Sequence, residues 1–175
     1  TIDLTDAVDP TLSFRLWSAS SGADGVGLEL NNGSGWVTLP PDTPDYDNAT
    51  TWSDLGYLDQ YVFAAVSLAS YVGQLIEVRW VFTSDWATTE QGAYIDDIGL
   101  HEESSDPDAD GIAGILDEYQ THGTDPFVAD TDDDGALDGD EFTAETDPHN
   151  PADWPGGPTL QVGALLGFET GPDGL

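Results

Sequence analysis

Regularly spaced acidic residues between Asp130 and Glu141 constrain this chain more than any other feature of its sequence. Asp130, Asp132 and Asp134 alternate, and Gly135 follows them. Alternation places three short carboxylates on one side of a tight turn, the glycine permits the backbone bend, and the longer Glu141 closes the turn with two oxygens. Because Ca²⁺ prefers about six to eight oxygen ligands at about 2.4 Å, this spacing predicts a calcium site. Its predicted ligands are Asp130, Asp132, Asp134, the Ala136 carbonyl, Asp138 and Glu141.

A second stretch with the same alternation and the same glycine begins at Asp106. This first loop differs from the second in two ways. Gly114 stands where the second loop has Asp138, so that position offers no side chain, and the loop is one residue longer. Either of two adjacent acids can therefore close it. The predicted ligands of the first loop are Asp106, Asp108, Asp110, the Ile112 carbonyl, and Asp117 or Glu118.

A Thr-Asp-Pro triplet follows each loop, which makes the pattern a repeat of about 22 to 24 residues. Its aspartates, Asp125 and Asp147, are expected to bridge to neighbouring ions. We expect at least two Ca²⁺ ions in residues 106–153, because this stretch has no Lys or Arg to balance its acids. The alternative is a solvated, disordered acidic linker, but such a linker has no reason to place glycine after the third alternate aspartate twice.

The stretch DPDADG…LDE…GTDP, followed by DTDDDGALDGDE…TDP, resembles the thrombospondin type 3 repeat. The resemblance covers about 50 residues. It implies calcium ions wrapped by chain with little hydrophobic core, serving as a stiff connector between extracellular domains. Gly114 departs from the pattern at the first site.

Charge and composition restrict the partners of the chain. The net charge is −33, Lys is absent, and only two Arg are present, so nucleic acid and anionic membranes are excluded as charge-driven partners. No apolar run reaches the roughly 18 residues of a membrane span. Exposed calcium loops of this kind need millimolar calcium, which predicts a secreted or cell-surface location. A chain that starts at Thr1 is expected to be a piece of a longer secreted precursor.

Residues 1–103 have the pattern of an all-β domain. Leu12, Phe14 and Leu16 alternate with Ser13 and Arg15, and this period of two predicts a half-buried strand. Polar, glycine-rich turns separate such runs, which favours a β-sandwich. Further strands are predicted at residues 2–5, 25–30, 36–39, 61–68, 76–83 and 93–100.

Four stretches of this domain resemble the jelly-roll domains of the MAM and immune-inhibitor-A class: IDLTDAVDPTLSFRLW, ADGVGLELNNGSGWVTL, LASYVGQLIEVRWVFTSD and GAYIDDIGL. The resemblance implies a two-sheet jelly roll with a role in recognition or spacing. It also implies a structural calcium at Asp96 or Asp97, with Asp24; the alternative is that Asp97 caps a turn. The expected organisation is all-β: a jelly-roll sandwich (1–103), a calcium-wrapped, loop-rich type 3 repeat segment (104–154), and a linker with a C-terminal strand (155–175).

No catalytic constellation is recognisable, so an enzyme is not expected. The three histidines are isolated and lie in or beside the acidic segment, residues 106–153. A carbohydrate-binding accessory domain of a secreted hydrolase is the alternative function, because aromatic residues in predicted loops can stack on sugar rings. The alternative for these aromatics is a place in the sandwich core. They are Trp36, Tyr46, Trp52, Tyr57 and Trp86.

The C-terminal residues predict assembly. Domains of the jelly-roll class open with a Phe-Glu-x-Gly strand, which is missing before Ile2, whereas Gly167-Phe168-Glu169-Thr170-Gly171 stands at the other end. A sandwich without that strand has an open edge. The C-terminal strand can fold back on its own domain, begin a further domain, or add to the sheet of another copy. The third arrangement makes a head-to-tail contact that propagates.

Overall fold

The structure, a computed structural model, describes residues 1–20, 24–47, 50–55, 60–85, 87 and 90–157. Within these ranges, eight strands form two antiparallel sheets. The predicted C-terminal strand lies in residues 158–175, outside the described residues. The strands are β1 (Ile2–Asp3), β2 (Pro10–Ala19), β3 (Gly25–Asn31), β4 (Trp36–Thr38), β5 (Asp54–Leu55), β6 (Val62–Ser67), β7 (Leu75–Thr83) and β8 (Gly92–Glu102).

The two sheets are built around the two longest runs of alternating residues. One sheet has the strand order β1-β7-β3-β4. In the other, β2 is central, with β8 along one side and β6 and β5 along the other. The all-β prediction is confirmed at the level of class. Of the predicted strands, the run at residues 2–5 is shorter in the structure, and the run at 93–100 is longer.

The hydrophobic core lies between the sheets. Leu12, Phe14 and Leu16 of β2 belong to it, as the period of two predicted, and each is at most 2% exposed. The Phe14 ring meets the rings of Trp52 and Trp80 edge-on, at centroid distances of 5.9 and 5.3 Å. Edge-on contacts of this kind add to the stabilisation from burial alone.

The other face of β2 is covered as well, which the half-buried pattern did not predict. Phe63 and Ala65 of β6 point away from the core and pack with Ile115 of the acidic segment, and all three are at most 3% exposed. Arg15 of β2 forms an ion pair with Asp125, with 2.5 Å between Nη2 and Oδ2. The acidic segment therefore lies against the outer face of the β2–β6–β8 sheet.

The acidic segment contains short helices where the sequence predicts only loops. They are α1 (Ile115–Asp117), a π-helical turn (Glu118–His122) and α2 (Asp138–Ala144). They include the last predicted ligands of each calcium loop: α1 and the π-helical turn in the first loop, and α2 in the second. Three acids lie in the first turn of α2, where carboxylates interact favourably with the helix dipole. No helix among the described residues is long and apolar enough to cross a membrane.

Two of the aromatics predicted as sugar platforms are core residues. Trp52 is 0% exposed, and its Nε1 donates to the Pro44 carbonyl at 2.9 Å. The Tyr46 hydroxyl donates to the Leu39 carbonyl at 2.8 Å, and its ring lies 4.6 Å from that of Trp52. For these two residues the structure therefore agrees with a place in the sandwich core, the alternative to sugar platforms. Trp36 is partly exposed, but Arg79 lies 4.0 Å over its ring; Tyr57 and Trp86 lie outside the described residues.

Candidate metal centres

The second loop brings its three alternating aspartates together. One carboxylate oxygen of each of Asp130, Asp132 and Asp134 lies within 4.8 Å of the others. Asp130 holds the turn, because its Oδ1 accepts from the Asp134 amide at 3.2 Å and its Oδ2 from the Gly135 amide at 2.9 Å. Gly135 has φ +97°, a conformation that favours glycine. The loop is therefore wound so that its carboxylates converge.

Glu141, the glutamate predicted to close the second loop, lies in α2. Its side chain is 0% exposed, and Oε1 accepts from the Thr146 hydroxyl at 3.4 Å. Oε2 is buried and has no hydrogen-bond partner among the described residues. Burial, followed by the charges of Asp132 and Asp134, raises the pKa of Glu141. A buried carboxylate oxygen without a donor is costly, and a cation is the partner that would satisfy it.

The first loop shares with the second the bond from its glycine amide to the first aspartate and two residues with positive φ. Asp106 accepts from the Ala109 amide at 2.7 Å and from the Gly111 amide at 3.1 Å. Ala109 and Gly111 both have positive φ, as the equivalent residues of the second loop do. One carboxylate oxygen from each of Asp106, Asp108 and Asp110 lies within 4.8 Å of the others.

Asp108 is the residue of this first group whose charge is least compensated. Both of its carboxylate oxygens are buried and have no hydrogen-bond partner in the part of the chain that the structure describes. Burial, and then the charge of Asp110, raises the pKa of Asp108 to about 6.

Glu118, and not Asp117, is placed to close the first loop. The Asp117 side chain is 62% exposed and accepts from the Thr121 hydroxyl at 2.8 Å. Glu118 is 0% exposed, and one of its oxygens lies within 4.8 Å of an oxygen of Asp110. Burial, followed by the charge of Asp108, raises the pKa of Glu118 to about 8. The first loop is one residue longer than the second, and a π-helical turn begins at Glu118, where the first loop ends.

The two residues predicted to contribute carbonyls occupy equivalent positions. The Ile112 amide donates to Asp110 Oδ1 at 2.7 Å, and the Ala136 amide donates to Asp134 Oδ1 at 2.8 Å. Each loop thus continues past its third aspartate through the same hydrogen bond. Ligation by these carbonyls stays a prediction.

Asp138 does not lie where a purely local loop would place it. It is 0% exposed, and one of its oxygens lies within 4.8 Å of oxygens of both Asp110 and Glu118 in the first loop. Its carboxylate also accepts from the Thr131 amide at 2.9 Å and from the Thr131 hydroxyl at 2.7 Å. The structure therefore places Asp138 between the two loops.

Asp125 and Asp147, the two aspartates of the Thr-Asp-Pro triplets, lie outside these carboxylate groups. Asp125 forms the ion pair with Arg15, and its Oδ1 accepts from the Phe127 amide at 3.3 Å. Asp147 is 59% exposed and accepts from the His149 amide at 3.1 Å. Their bridging of ions stays a prediction.

The threonines of the same triplets are positioning residues that the sequence analysis did not identify. Thr124 donates its hydroxyl to Glu118 Oε1 at 3.3 Å, as Thr146 does to Glu141. Both bonds hold the closing glutamate by one oxygen and leave the other free of a donor. The repetition of the triplet after each loop was the signal that could have revealed this role.

The implied third calcium site in the sandwich has no carboxylate group to form it among the described residues. Asp24 accepts from the Asp85 amide at 2.5 Å, and Asp96 accepts from the Asp97 amide at 2.9 Å. Asp97 has φ +49° and lies at an irregularity of the β2–β8 pairing. The carboxylates of Asp24 and Asp96 therefore satisfy backbone amides.

No protein-family model matches the chain, and no curated protein matches it.

Proposed function

We propose that the chain is a secreted, calcium-binding structural module, in which ions fix the acidic segment 106–153 against a β-sandwich. One observation carries the proposal. In each loop a glutamate is fully buried near aspartate carboxylates and has a buried oxygen without a donor among the described residues: Glu118, which is grouped with Asp110 and Asp138, and Glu141, whose pKa the charges of Asp132 and Asp134 help to raise. Such a segment needs cations to fold, since it has no Lys or Arg.

Calcium suits these groups better than other cations do. All side chains that converge are carboxylates, which are hard ligands, and neither Cys nor His belongs to a group that the structure describes. Several carboxylates around one ion favour Ca²⁺ over Mg²⁺, because Mg²⁺ keeps most of its water. Weak, partly exposed calcium loops are saturated at extracellular calcium concentrations, which favours a secreted protein.

Contacts with the sandwich support a role as a stiff connector. Ile115 is 0% exposed against Phe63 and Ala65, and the Gln120 side chain donates to the Asp42 carbonyl at 3.0 Å. Ions that hold the loops would also hold α1 in the position in which Ile115 is buried. The segment then leaves the sandwich in a fixed direction, as a spacer or adhesive module requires.

An ion count tests the proposal. Native mass spectrometry in millimolar calcium is expected to show at least two bound Ca²⁺ ions, and a combined Glu118→Gln and Glu141→Gln variant fewer. Asp153→Asn, in the same segment but outside the groups, is the matched control and keeps the wild-type count. Equal occupancy of the wild type by magnesium, or no bound calcium, would contradict the proposal.

We also propose that copies of the unit associate through their C-terminal strands. The supporting feature is the edge of β8, which pairs with β2 on one side and with no strand of the described residues on the other. Ile98 and Leu100 of β8 are 55% and 44% exposed. A strand from residues 158–175 of a second copy would cover these side chains and satisfy the edge.

Deletion of residues 158–175 is expected to convert an associating chain into a monomer, as measured by light scattering over a range of concentrations. Ile98→Lys is expected to have the same effect, because a lysine at a sheet edge opposes pairing. Val37→Lys, equally exposed on the other sheet, is the control and still associates. Stable monomers of full-length and shortened chain, with the same melting temperature, would exclude the idea.

A second candidate function is glycan binding, at a place that the aromatics predicted from the sequence did not include. Trp17, Tyr61, Tyr94 and Gln91 line a depression of about 210 Å³. The rings of Trp17 and Tyr94 lie 5.4 Å apart, and Tyr94 is 53% exposed. Trp17 Nε1 is buried without a hydrogen-bond partner within the described residues. Aromatic faces beside an amide side chain are typical of sugar recognition.

Polysaccharide titration followed by tryptophan fluorescence separates this function from a purely structural one. Binding is expected to be lost in Tyr94→Ala and kept in Trp36→Ala, because the Trp36 face is covered by Arg79. If no glycan changes the fluorescence of the wild type, the glycan-binding function is rejected.

A further inference from the structure

Three buried carboxylates meet between the two loops of the acidic segment. Asp110 and Glu118 come from the first loop, and Asp138 comes from the second. They are 5%, 0% and 0% exposed, and one oxygen of each lies within 4.8 Å of the others. Three like charges this close, and this far from water, repel strongly.

A glycine allows the loops to approach this closely. The Gly139 amide donates to Asp110 Oδ2 at 3.2 Å. A Cβ at position 139 would lie within van der Waals overlap of the Asp110 carbonyl oxygen, so a larger residue would push α2 away from the first loop. The contact therefore fixes Asp138, the residue before this glycine, against the first group.

The first loop lacks one ligand that the second loop has. Gly114 takes the position equivalent to Asp138 and has φ +100°. Glu118, which is grouped with Asp110 and Asp138, has a buried Oε2 without a hydrogen-bond partner in the described part of the chain. Asp138 uses each oxygen for one bond to Thr131, and a carboxylate oxygen has two acceptor sites. Both oxygens therefore keep a lone pair for a cation.

We propose that Asp138 is a ligand of the cation in the first loop, so that this site is built from both loops. The inference rests on the proposed calcium-binding function and reassigns a residue that the loop spacing gave to the second site. It follows that the first loop binds its ion with full affinity only when the second loop is folded against it. The two sites are therefore coupled, with the second loop completing the first.

Calcium titration of the labelled full chain, followed by amide NMR signals of residues 106–118 and 130–141 separately, tests this coupling. In Asp138→Asn, the calcium concentration that half-saturates the first loop is expected to rise about 10-fold or more, since loss of a group that merely supports a ligand already costs about that much. Asp140→Asn, two residues away and exposed, is the matched control and leaves both titrations unchanged.

Gly139→Ala gives a second readout that alters no charge. It is expected to weaken the first loop about 10-fold as well, because the added Cβ separates Asp138 from Asp110. If Asp138→Asn does not fold, the titration of Gly139→Ala alone tests whether Asp138 is a ligand of the first loop. A first loop that titrates in Gly139→Ala and in any folded Asp138→Asn as it does in the wild type would overturn the inference. If neither loop of the wild type responds to millimolar calcium, the proposed calcium-binding function itself fails.

Discussion

Chelation of calcium is expected to unfold residues 106–153 while the strands of the sandwich core keep their structure. Without ions, the buried carboxylates of Glu118 and Glu141 face other carboxylates, and no Lys or Arg of the segment opposes them. An ion at 100 times its dissociation constant stabilises the folded state by about 2.7 kcal/mol. Two such sites would contribute about 5 kcal/mol, which approaches the whole stability of a small domain.

Hydrogen exchange measured by mass spectrometry gives the readout for each part of the chain. Peptides from the acidic segment are expected to exchange fast in excess chelator, whereas peptides from β3 and β7 stay protected. Peptides from β6 should become more accessible, because Phe63 and Ala65 lose the cover of Ile115. Magnesium at the same ionic strength is the control. Undiminished protection of the acidic segment in excess chelator would contradict the prediction.

The stability of the acidic segment is expected to depend on pH in opposite directions with and without calcium. Without calcium, burial and neighbouring carboxylates raise the pKa of Glu118 to about 8 and that of Asp108 to about 6. Between about pH 4 and these values, the folded state holds more protons than the unfolded state, so its free energy of unfolding falls as the pH rises. With calcium, the ligands must be deprotonated, and the free energy of unfolding falls as the pH drops.

The folded fraction of the segment, followed by the amide NMR signals of residues 106–153 between about pH 5 and about pH 8 in chelator and in saturating calcium, gives both slopes; in chelator, low pH is expected to restore part of the fold. Glu118→Gln removes the carboxylate whose pKa is raised to about 8 and is expected to flatten the calcium-free slope above about pH 6. Glu145→Gln, on an exposed side chain, is the control and should leave that slope unchanged. Slopes of the same sign in both conditions would show that the buried carboxylates do not exchange protons for calcium.

Periodicity predicted most of the sandwich because a strand with one face in the core needs alternating residues. Strand β2 shows what periodicity does not predict. Leu12, Phe14 and Leu16 do face the core, but Ser13 and Arg15 are covered too. The polar residues on the second face of β2 predicted that this face is exposed to solvent, whereas the acidic segment covers it. Contacts between segments far apart in the sequence are not encoded in a local period.

The two groups of alternating aspartates were predictable from the sequence, because each forms within a few neighbouring residues. Asp130, Asp132 and Asp134 converge through hydrogen bonds within a few residues. The choice between Asp117 and Glu118 was not predictable, because it depends on which side of a π-helical turn faces the loop. The place of Asp138 between the loops depends on their packing, which the spacing of a single loop does not contain.

The contacts of both arginines bear on how the folded chain resists proteolysis. Arg15 lies over the Phe63 ring and is paired with Asp125, and Arg79 lies over Trp36 and is paired with Glu29. Both residues belong to strands that pair on two sides. Proteases of the trypsin type cut only after Lys or Arg, and this sequence offers them two peptide bonds, each held in a sheet. Both bonds lie in strands whose two edges are already paired, so a protease of this type can bind neither as a free extended segment while the sandwich is folded.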